Sequence, residues 1–211
     1  SILYWPKDIN PGVFTPQISQ VAKKLYYGKA VDKLTQYTFF KENGIPHPEW
    51  SINHKDALKW QKDGHVVLCR EKLKSALGDG VFVCTPGDEL VDAKIYCKYQ
   101  KKKREFRVHI FKDQVVQVLE KRKRKKFTGE RETKIRNTAN GYVFCSENVI
   151  EPDGIRELAL KAAQVTSSHF KGVDIGFNEK LNELFVIECN SAPGISGSNI
   201  DRYIEAMVPP G

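Results

Sequence analysis

Residues 172–202, GVDIGFNEKLNELFVIECNSAPGISGSNIDR, predict a β-hairpin that is followed by a loop of small residues. The runs VDIGF and ELFVIE are rich in β-branched and aromatic residues, and the tripeptide NEK at 178–180 has the polar chemistry of a turn. Asp174 lies in the first run, whereas Glu188 and Asn190 close the second. The order strand, turn, strand and loop therefore organises this part of the chain.

Three oxygen-bearing side chains share one face of this predicted hairpin. Glu188 and Asn190 are two residues apart on a strand and project to the same side, and Asp174 lies opposite them if the strands pair. Two carboxylates and an amide oxygen suit a Mg²⁺ ion that is held partly by substrate phosphates. The glycines of the following loop allow its backbone to approach a ligand closely. The alternative interpretation is an ordinary surface hairpin whose acidic side chains are solvated.

The bulk composition is that of a globular protein. The chain has 211 residues, of which 40% are hydrophobic and 28% charged, enough for one large domain or two small ones. We expect no membrane association, since no apolar run approaches the ~20 residues that cross a bilayer, and no signal peptide opens the chain. Its five cysteines show no CxxC spacing, which favours free thiols in a reducing cytoplasm over disulfides or a zinc site.

The positive charge is concentrated in one segment. The chain carries a net charge of +8, and the segment 98–136 alone has 16 Lys and Arg residues against five Asp and Glu residues. Such a segment suits a polyanion: nucleotide phosphates, an acidic polypeptide or a nucleic acid. Because aromatic residues are interleaved with the basic ones, a nucleic-acid-binding module is a rival interpretation. A merely solvated, charged loop is the third.

Periodicity and capping residues predict a mixed succession of helices and strands. Thr15 and Pro16 predict a helix start, Gly44 and Gly64 predict two helix ends, and alternating apolar residues predict the strands. Residues 121–134 are so highly charged that we expect a mobile loop there, and 150–170 is the longest helix candidate. The predicted helices are 16–27, 31–43, 53–63, 150–170 and 198–207, and the strands before the hairpin are 66–71, 81–84, 93–99, 105–111, 114–120 and 141–146.

Taken together, these motifs resemble the ATP-grasp superfamily of carboxylate–amine ligases, and especially its ribosomal-protein glutamate ligase and tubulin tyrosine ligase types. The likeness runs from about Asp32 to Ile204. It implies an α+β fold, the ATP-grasp fold, in which two α+β subdomains hold a nucleotide between two antiparallel sheets. By this resemblance, residues 32–97 form the small lobe with its glycine-rich flap, and residues 98–211 form the large lobe with the metal site and the basic patch. The resemblance further implies a minimal form, in which we expect residues 1–31 to stand in place of the family's usual N-terminal domain.

The resemblance also implies where ATP binds. DKLTQYTFFKENGIPHPEW is similar to the family's "D-K, helix, G-I-P-x-P" segment and makes Lys33 the first phosphate-binding lysine. HVVLCREKLKSALGDGVFV resembles the strand and flap that close over the triphosphate, although a plain glycine hairpin is the alternative for this loop. Arg70 stands where the family has its second lysine, with Lys72 or Lys74 as substitutes. The expected flap contacts are Ser75, Gly78 and Gly80.

Further site residues follow from the same resemblance. CKYQKKKREFRVHIF looks like the hinge and the Arg-bearing strand, which implies Cys97, Lys98 and Tyr99 near the base and a catalytic Arg107. IRNTANGYVF is similar to the family's Arg-x-Asn segment, which implies a catalytic Arg136 with Asn137 beside the phosphates. The hairpin resembles the family's metal motif, which implies Asp174, Glu188 and Asn190 as ligands of usually two Mg²⁺ ions, with Mn²⁺ as a substitute.

The activity that the resemblance implies is an ATP-dependent ligation. A carboxylate attacks the γ-phosphate to give an acyl phosphate and ADP, and an amine then displaces phosphate to form an amide. The expected partners are ATP, a carboxylate, an amine and, through the basic segment, an acidic polypeptide or a nucleic acid. The alternatives are a nucleic-acid-binding protein and a degenerate ATP-grasp protein that binds nucleotide without ligating anything.

Overall fold

The computed structural model describes residues 30–74, 80–129, 132–191, 193–194 and 199–207. The predicted helix at 16–27 lies outside the described residues, as do Ser75 and Gly78 of the predicted flap. The described helices are α1 (Lys33–Glu42), α2 (His54–Lys62), α3 (Ile155–Ala163) and α4 (Asn199–Met207). The strands are β1 (Trp50–Ser51), β2 (Val67–Arg70), β3 (Val81–Cys84), β4 (Ile95–Lys98), β5 (Arg104–Phe111), β6 (Gln114–Lys123), β7 (Tyr142–Cys145), β8 (Phe170–Asn178) and β9 (Glu183–Asn190).

Local chemistry explains where the first two helices begin and end. Asp32 caps α1, because its carboxylate accepts a hydrogen bond of 3.0 Å from the backbone N–H of Thr35. The helix ends before Gly44, whose φ of +62° is a left-handed conformation that favours glycine. Asn53 caps α2 in the same way by accepting from the N–H of Lys55. Both helices agree with the sequence prediction to within two residues at each end.

The strands form two antiparallel sheets. The first has four strands in the order β1-β4-β2-β3, and the second has five in the order β7-β6-β5-β8-β9. Helix α2 packs on the first sheet, where Ala57 and Trp60 join a buried cluster with Val67 and Tyr96. The expected α+β class with two antiparallel sheets is confirmed.

The larger hydrophobic core lies on one side of the second sheet. It brings together residues of α1, α3 and the central strands, including Phe40, Ala159, Val108 and Ile175. Helix α1 is also bonded directly to the last strand, because the side-chain oxygen of Gln36 accepts from the backbone N–H of Cys189 at 2.8 Å. Helix α1 therefore packs against the second sheet.

Two element predictions were wrong. The helix expected over 150–170 covers only Ile155–Ala163, and β8 begins at Phe170. The hydroxyl of Ser168 donates to the backbone oxygens of Phe170 and Ser191, and such side-chain bonds compete with a helix. The loop expected from residue 121 starts three residues later, since Lys121–Lys123 continue β6 and pair with β7.

The cysteines are free, as expected. Cys69, Cys84, Cys97 and Cys189 are buried, and Cys145 is half-buried. Within the described ranges, no helix has both the length and the apolar character needed to cross a bilayer.

Candidate active site

Strand register brings three charged side chains into one row on the second sheet. Arg107 of β5 lies opposite Asp174 of β8, and Asp174 lies opposite Glu188 of β9. Side chains at directly opposite positions of neighbouring strands project to the same face of a sheet. Asn190 follows on the same face, two residues after Glu188. The predicted metal ligands and one predicted catalytic arginine are therefore neighbours.

Each carboxylate in this row is paired with a cation. The Arg107 guanidinium binds Asp174 through two hydrogen bonds, with Nε 2.6 Å from Oδ1 and Nη2 2.8 Å from Oδ2. Lys33 reaches from the start of α1 and donates from Nζ to Oε2 of Glu188. The Nδ2 amide of Asn190 donates to the other oxygen, Oε1, at 3.0 Å. Lys33 therefore joins α1 to the far edge of the second sheet.

Burial and pairing act in opposite directions on these charges. Burial alone would raise the pKa of Glu188, but the charges of Lys33 and Arg70 and the hydrogen bond from Lys33 outweigh it and hold that pKa well below its usual range. Burial would likewise lower the pKa of Arg107, but Asp174 more than offsets it. Glu188 is therefore a carboxylate throughout the physiological pH range.

The row forms part of a cavity of about 290 Å³ that lies between the two sheets. Leu68 and Val81 of the first sheet lie on one side, and Val143 and Ile187 of the second sheet lie on the other. The wall contains three carboxylates: Glu105, Asp174 and Glu188. It contains six cationic side chains: Arg70, Lys102, Arg107, Lys121, Lys134 and Arg136. This excess of positive charge suits an anionic ligand.

Arg70 is the cationic side chain that the first sheet contributes to this wall. It is only 9% exposed, and among the described residues its Nε has no hydrogen-bond partner. A buried donor without an acceptor costs free energy, and a phosphate oxygen would satisfy it. Burial would lower the pKa of Arg70, but the negative charge of Glu188 is among the causes that raise it overall. Arg70 therefore fits the predicted contact with phosphate.

The chemistry of Asp174, Glu188 and Asn190 fits Mg²⁺. All three present oxygen atoms on one face beside the cavity, and hard divalent cations prefer carboxylate and amide oxygens. No group of three or more His, Cys, Asp and Glu residues suited to a metal occurs within the ranges that the structure describes. The amide of Asn190 and the phosphates of a ligand would complete the coordination, and these assignments stay predictions.

Arg136 and Asn137 also lie on the cavity wall. The guanidinium of Arg136 donates to the backbone oxygens of Lys102 and Lys103 at 3.2 Å and lies over the ring of Tyr142. Asn137 accepts from the backbone N–H of Asn140 at 2.8 Å through its side-chain oxygen. Both side chains are therefore held in place at the cavity by the surrounding loop.

The three predicted hinge residues do not contribute to the cavity wall. The side chain of Cys97 is buried. The backbone N–H of Lys98 donates to Glu49 O and that of Tyr99 to Val66 O, each at 2.8 Å. Their role at the nucleotide base stays a prediction, and these two N–H groups already have partners in the protein.

The flap is described only at its end. Gly80 has a φ of +68°, and a Cβ at this position would lie 3.1 Å from the side chain of Lys72. Gly80 directly precedes Val81 on the cavity wall. The expected flap contacts at Ser75 and Gly78 lie outside the described residues, and the contact at Gly80 stays a prediction.

Sequence reasoning missed several charged groups of the wall. The charge density of 121–134 predicts a mobile loop at Lys121, yet this residue lies on β6 with its Nζ 2.5 Å from Glu105 Oε1 and 3.7 Å from Asp174 Oδ2. Lys102 shares Glu105 at 3.5 Å. The two-residue alternation that places Leu119 on the same face as Lys121 was the signal that could have extended the predicted strand.

Comparison with known families and structures adds independent information. The profile of the RimK-like ATP-grasp domain matches residues 30–208. No similar sequence was found among curated proteins. Three solved structures resemble the fold at 15–21% identity. D-Alanine–D-alanine ligase from Bacillus anthracis, complexed with ATP, has 15% identity and a TM-score of 0.61 over 92% of this chain and 68% of that one.

The other two relatives are longer than this chain. The ATP-grasp ligase PsnB, complexed with a minimal precursor, has 15% identity and a TM-score of 0.57, covering 84% of this chain and 55% of PsnB. The carboxyaminoimidazole ribonucleotide synthase from Aspergillus clavatus, complexed with ATP, has 21% identity and a TM-score of 0.57, covering 79% of this chain and 46% of the synthase. The chain thus spans between about half and two thirds of these three proteins, and the likeness establishes the fold.

Proposed function

Since the chain belongs to the RimK-like ATP-grasp family, we propose that it is an ATP-dependent ligase that joins a carboxylate to an amine. The observation that carries this proposal is the charged row of Arg107, Asp174 and Glu188 in a cavity with excess positive charge. A triphosphate is the kind of anion that such a wall suits, and the solved D-alanine–D-alanine ligase is complexed with ATP. The family's general use of ATP and Mg²⁺ supports the same conclusion.

The chemistry we propose has two steps. An oxygen of the substrate carboxylate attacks the γ-phosphorus, the bond from that phosphorus to the β,γ-bridging oxygen breaks, and ADP leaves. The amine nitrogen then attacks the carbonyl carbon of the acyl phosphate, the C–O bond to phosphate breaks, and the nitrogen gives up a proton to solvent. The sum is an amide, ADP and phosphate. Positioning and charge neutralisation supply most of the rate in such phosphoryl transfers.

The residues of this chain have distinct parts in that chemistry. Lys33 and Arg70 hold the triphosphate from the side of α1 and the first sheet. Arg107 and Arg136 stabilise the negative charge on the transferred phosphoryl group from the second sheet. Asn137 adds a polar contact beside it. The backbone around Gly194 on the cavity wall leaves room for the reacting carboxylate, since no atom of the described residues lies within 4 Å of a Cβ built there.

Asp174, Glu188 and Asn190 would hold Mg²⁺, which neutralises phosphate charge when it is bound. In the structure the two carboxylates bind Arg107 and Lys33 instead. The number of ions and the use of Mn²⁺ belong to this proposal as well.

We further propose an acidic polypeptide as the partner of the basic surface. Lys101, Lys103, Lys125 and Lys126 are exposed on the two segments that flank the loop of Arg136. An acidic peptide supplies both negative charge and a carboxylate to activate, whereas a nucleic acid supplies only the charge. Phe127 of this surface lies against Gly141, so its ring is turned toward the protein instead of offering a stacking face.

The deciding experiment measures ADP release with MgATP across a panel of amino acids, acidic peptides and oligonucleotides, with the product masses determined. The expected result is ADP release that depends on one carboxylate and one amine, together with a product whose mass equals their sum less water. Tight, salt-sensitive oligonucleotide binding without ADP release would overturn the ligase in favour of a nucleic-acid-binding protein. MgATP binding without any product would leave a degenerate nucleotide-binding protein.

A further inference from the structure

Lys121 has an unusual setting for a lysine that the sequence places in a highly charged run. Its side chain is only 9% exposed and forms part of the cavity wall. Its ammonium lies 2.5 Å from Oε1 of Glu105 and 3.7 Å from Oδ2 of Asp174. Lys121 therefore lies on the wall of the site, beside Asp174, one of the two carboxylates that are proposed to hold Mg²⁺.

Two neighbours hold the Lys121 ammonium in place. The carboxylate of Glu105, whose side chain is 5% exposed, binds the ammonium of Lys121. Phe144 lies opposite Lys121 in the pairing of β6 with β7. The Phe144 ring centroid is 5.1 Å from Lys121 Nζ and 4.5 Å from the Cζ of Arg107. An aromatic face attracts cations and excludes water from them. The ring therefore covers both cations, although it remains 40% exposed itself.

Among the residues that the structure describes, the buried charges around Lys121 do not balance. Three cations, Lys102, Arg107 and Lys121, share the two carboxylates Glu105 and Asp174. Burial lowers the pKa of Lys102 even though Glu105 opposes the effect. Since a buried charge is costly unless it is paired, the excess of cations favours binding of a further anion in the adjoining cavity.

We propose that Lys121 is an anion-binding residue of this site, whose ammonium contacts a phosphate oxygen of the bound nucleotide. Glu105 and Phe144 act through Lys121 and are positioning residues. This inference rests on the proposed function, because it takes the anion in the cavity to be a nucleotide phosphate. It goes further in assigning to the site a lysine that lies beyond the phosphate-binding motifs found in the sequence.

The test compares Lys121→Met with Lys123→Met, a matched control two residues along the same strand. Lys123 is exposed and is not part of the cavity wall. Displacement of a fluorescent ATP analogue gives the affinities for MgATP and for adenosine, which has no phosphate. Loss of a charge-assisted hydrogen bond predicts that Lys121→Met weakens MgATP about tenfold or more and adenosine less than about twofold. Lys123→Met, which removes only an exposed charge, retains the wild-type affinity for MgATP to within about twofold.

The outcomes separate this inference from its premise. A Lys121→Met protein that binds MgATP as tightly as wild type overturns the inference, and so does equal weakening of MgATP and adenosine, which indicates a structural defect. A wild-type protein that binds no MgATP overturns the proposed function itself. For the positioning role, Phe144→Leu is expected to weaken MgATP about threefold while Phe144→Tyr restores it, because only the second keeps an aromatic face. Equal affinities in these two variants would contradict that role.

Discussion

At Ile187 the last strand carries one extra residue, and that residue decides which side chain faces Asp174. Ile175 lies opposite Val186, but the next pair is Asp174 with Glu188, so Ile187 is bulged. If the register of the first half of β9 continued, Asp174 would lie opposite Ile187 and Glu188 would point to the other face. One inserted residue therefore places two carboxylates together at the cavity.

Glu188→Gln tests the residue that joins the metal row to α1. The substitution removes the charge that pairs with buried Lys33, and we expect ADP release to fall about a hundredfold or more. It is also expected to lower the free energy of unfolding at pH 7 by about 3 kcal/mol, because Lys33 loses its partner. Enzyme assays and urea unfolding measure the two effects.

The contribution of Glu188 to the free energy of unfolding depends on pH. The pKa of folded Glu188 is lowered, so its contribution is complete above the ordinary carboxyl range and disappears as the pH falls below it. Glu151→Gln, which breaks the more exposed pair with Arg156, serves as the control and should change stability little. Unchanged ADP release in Glu188→Gln would remove this residue from the site.

Gly176→Ala tests close packing on the same hairpin. A Cβ at Gly176 would lie 2.3 Å from the ring of Phe185, which is 2% exposed. We expect the variant to lose about 1–3 kcal/mol of stability, because the buried ring must move. Gly194→Ala is the control, since within the described part of the chain no atom lies within 4 Å of a Cβ at that position. Equal urea midpoints for the two variants would show that the Phe185 ring moves aside without cost.

Among the elements, strand β5 carries side chains of the site and also contacts helix α4. Its residues alternate between the cavity face, with Glu105 and Arg107, and the core face, with Phe106 and Val108. A shift in register after His109 leaves Val116 of β6 unpaired, but β5 keeps its alternation, because Ile110 lies in the same core as Phe106 and Val108. His109 then binds helix α4, with Nδ1 3.0 Å from the hydroxyl of Tyr203. The same strand therefore orders both the site and the docking of α4.

Because His109 is buried against helix α4, we expect the stability of the folded protein to decrease in acid. Burial, aided by the charge of Arg107 and opposed by that of Asp174, lowers the pKa of His109 from 6.5 to about 3. The unfolded chain binds a proton between these values and the folded one does not, so stability falls as the pH drops below 6.5.

The measurement is the unfolding free energy in urea from pH 7 to pH 4.5. In His109→Gln the acid slope should be smaller by about 1.4 kcal/mol per pH unit, whatever the variant loses at pH 7. His65→Gln, at an exposed histidine, should keep the wild-type slope. An unaltered slope in His109→Gln would mean that this histidine titrates normally when folded.

In the molecule as a whole, the two sheets enclose a positively charged cavity. A second group of positive charges, the exposed lysines, lies outside this cavity. Many basic residues of the segment 98–136 have defined partners: Arg104 binds Glu120 at 2.7 Å, for example, and Lys121 binds Glu105. The exposed lysines are a separate group and provide the surface that we propose for an acidic polypeptide. Site and surface therefore have separable effects.

Charge reversal at Lys125 and Lys126 tests that surface. Lys125→Glu with Lys126→Glu should weaken the binding of a glutamate-rich peptide and reduce its dependence on salt concentration, since fewer charges are screened. MgATP affinity should stay at the wild-type value. The matched control is Lys55→Glu with Lys59→Glu on the exposed face of α2. Equal weakening by both double variants would indicate a general effect of net charge, and the proposed surface would be wrong.

Local sequence signals predict the hairpin, the two capped helices and most strand segments, because turn residues, caps and alternation act between neighbours in the chain. The sequence also predicts Asp174, Glu188 and Asn190 as a group, since two of them are two residues apart on one strand. The wrong predictions concern 121–134 and 150–170, where charge density and an apolar stripe suggested the wrong element. There, pairing with β7 and the side-chain bonds of Ser168 prevailed.

The contacts between residues that are distant in the chain depend on strand pairing and helix packing, which local sequence signals do not specify. The bulge at Ile187 turned Glu188 toward Asp174, α1 brought Lys33 to Glu188, and β6 carried Lys121 into the cavity wall. Each of these contacts joins residues far apart in the chain, and a shift of one residue in register would undo it. Local sequence sets the face on which a side chain lies, whereas the pairing of strands and the packing of helices set what lies opposite.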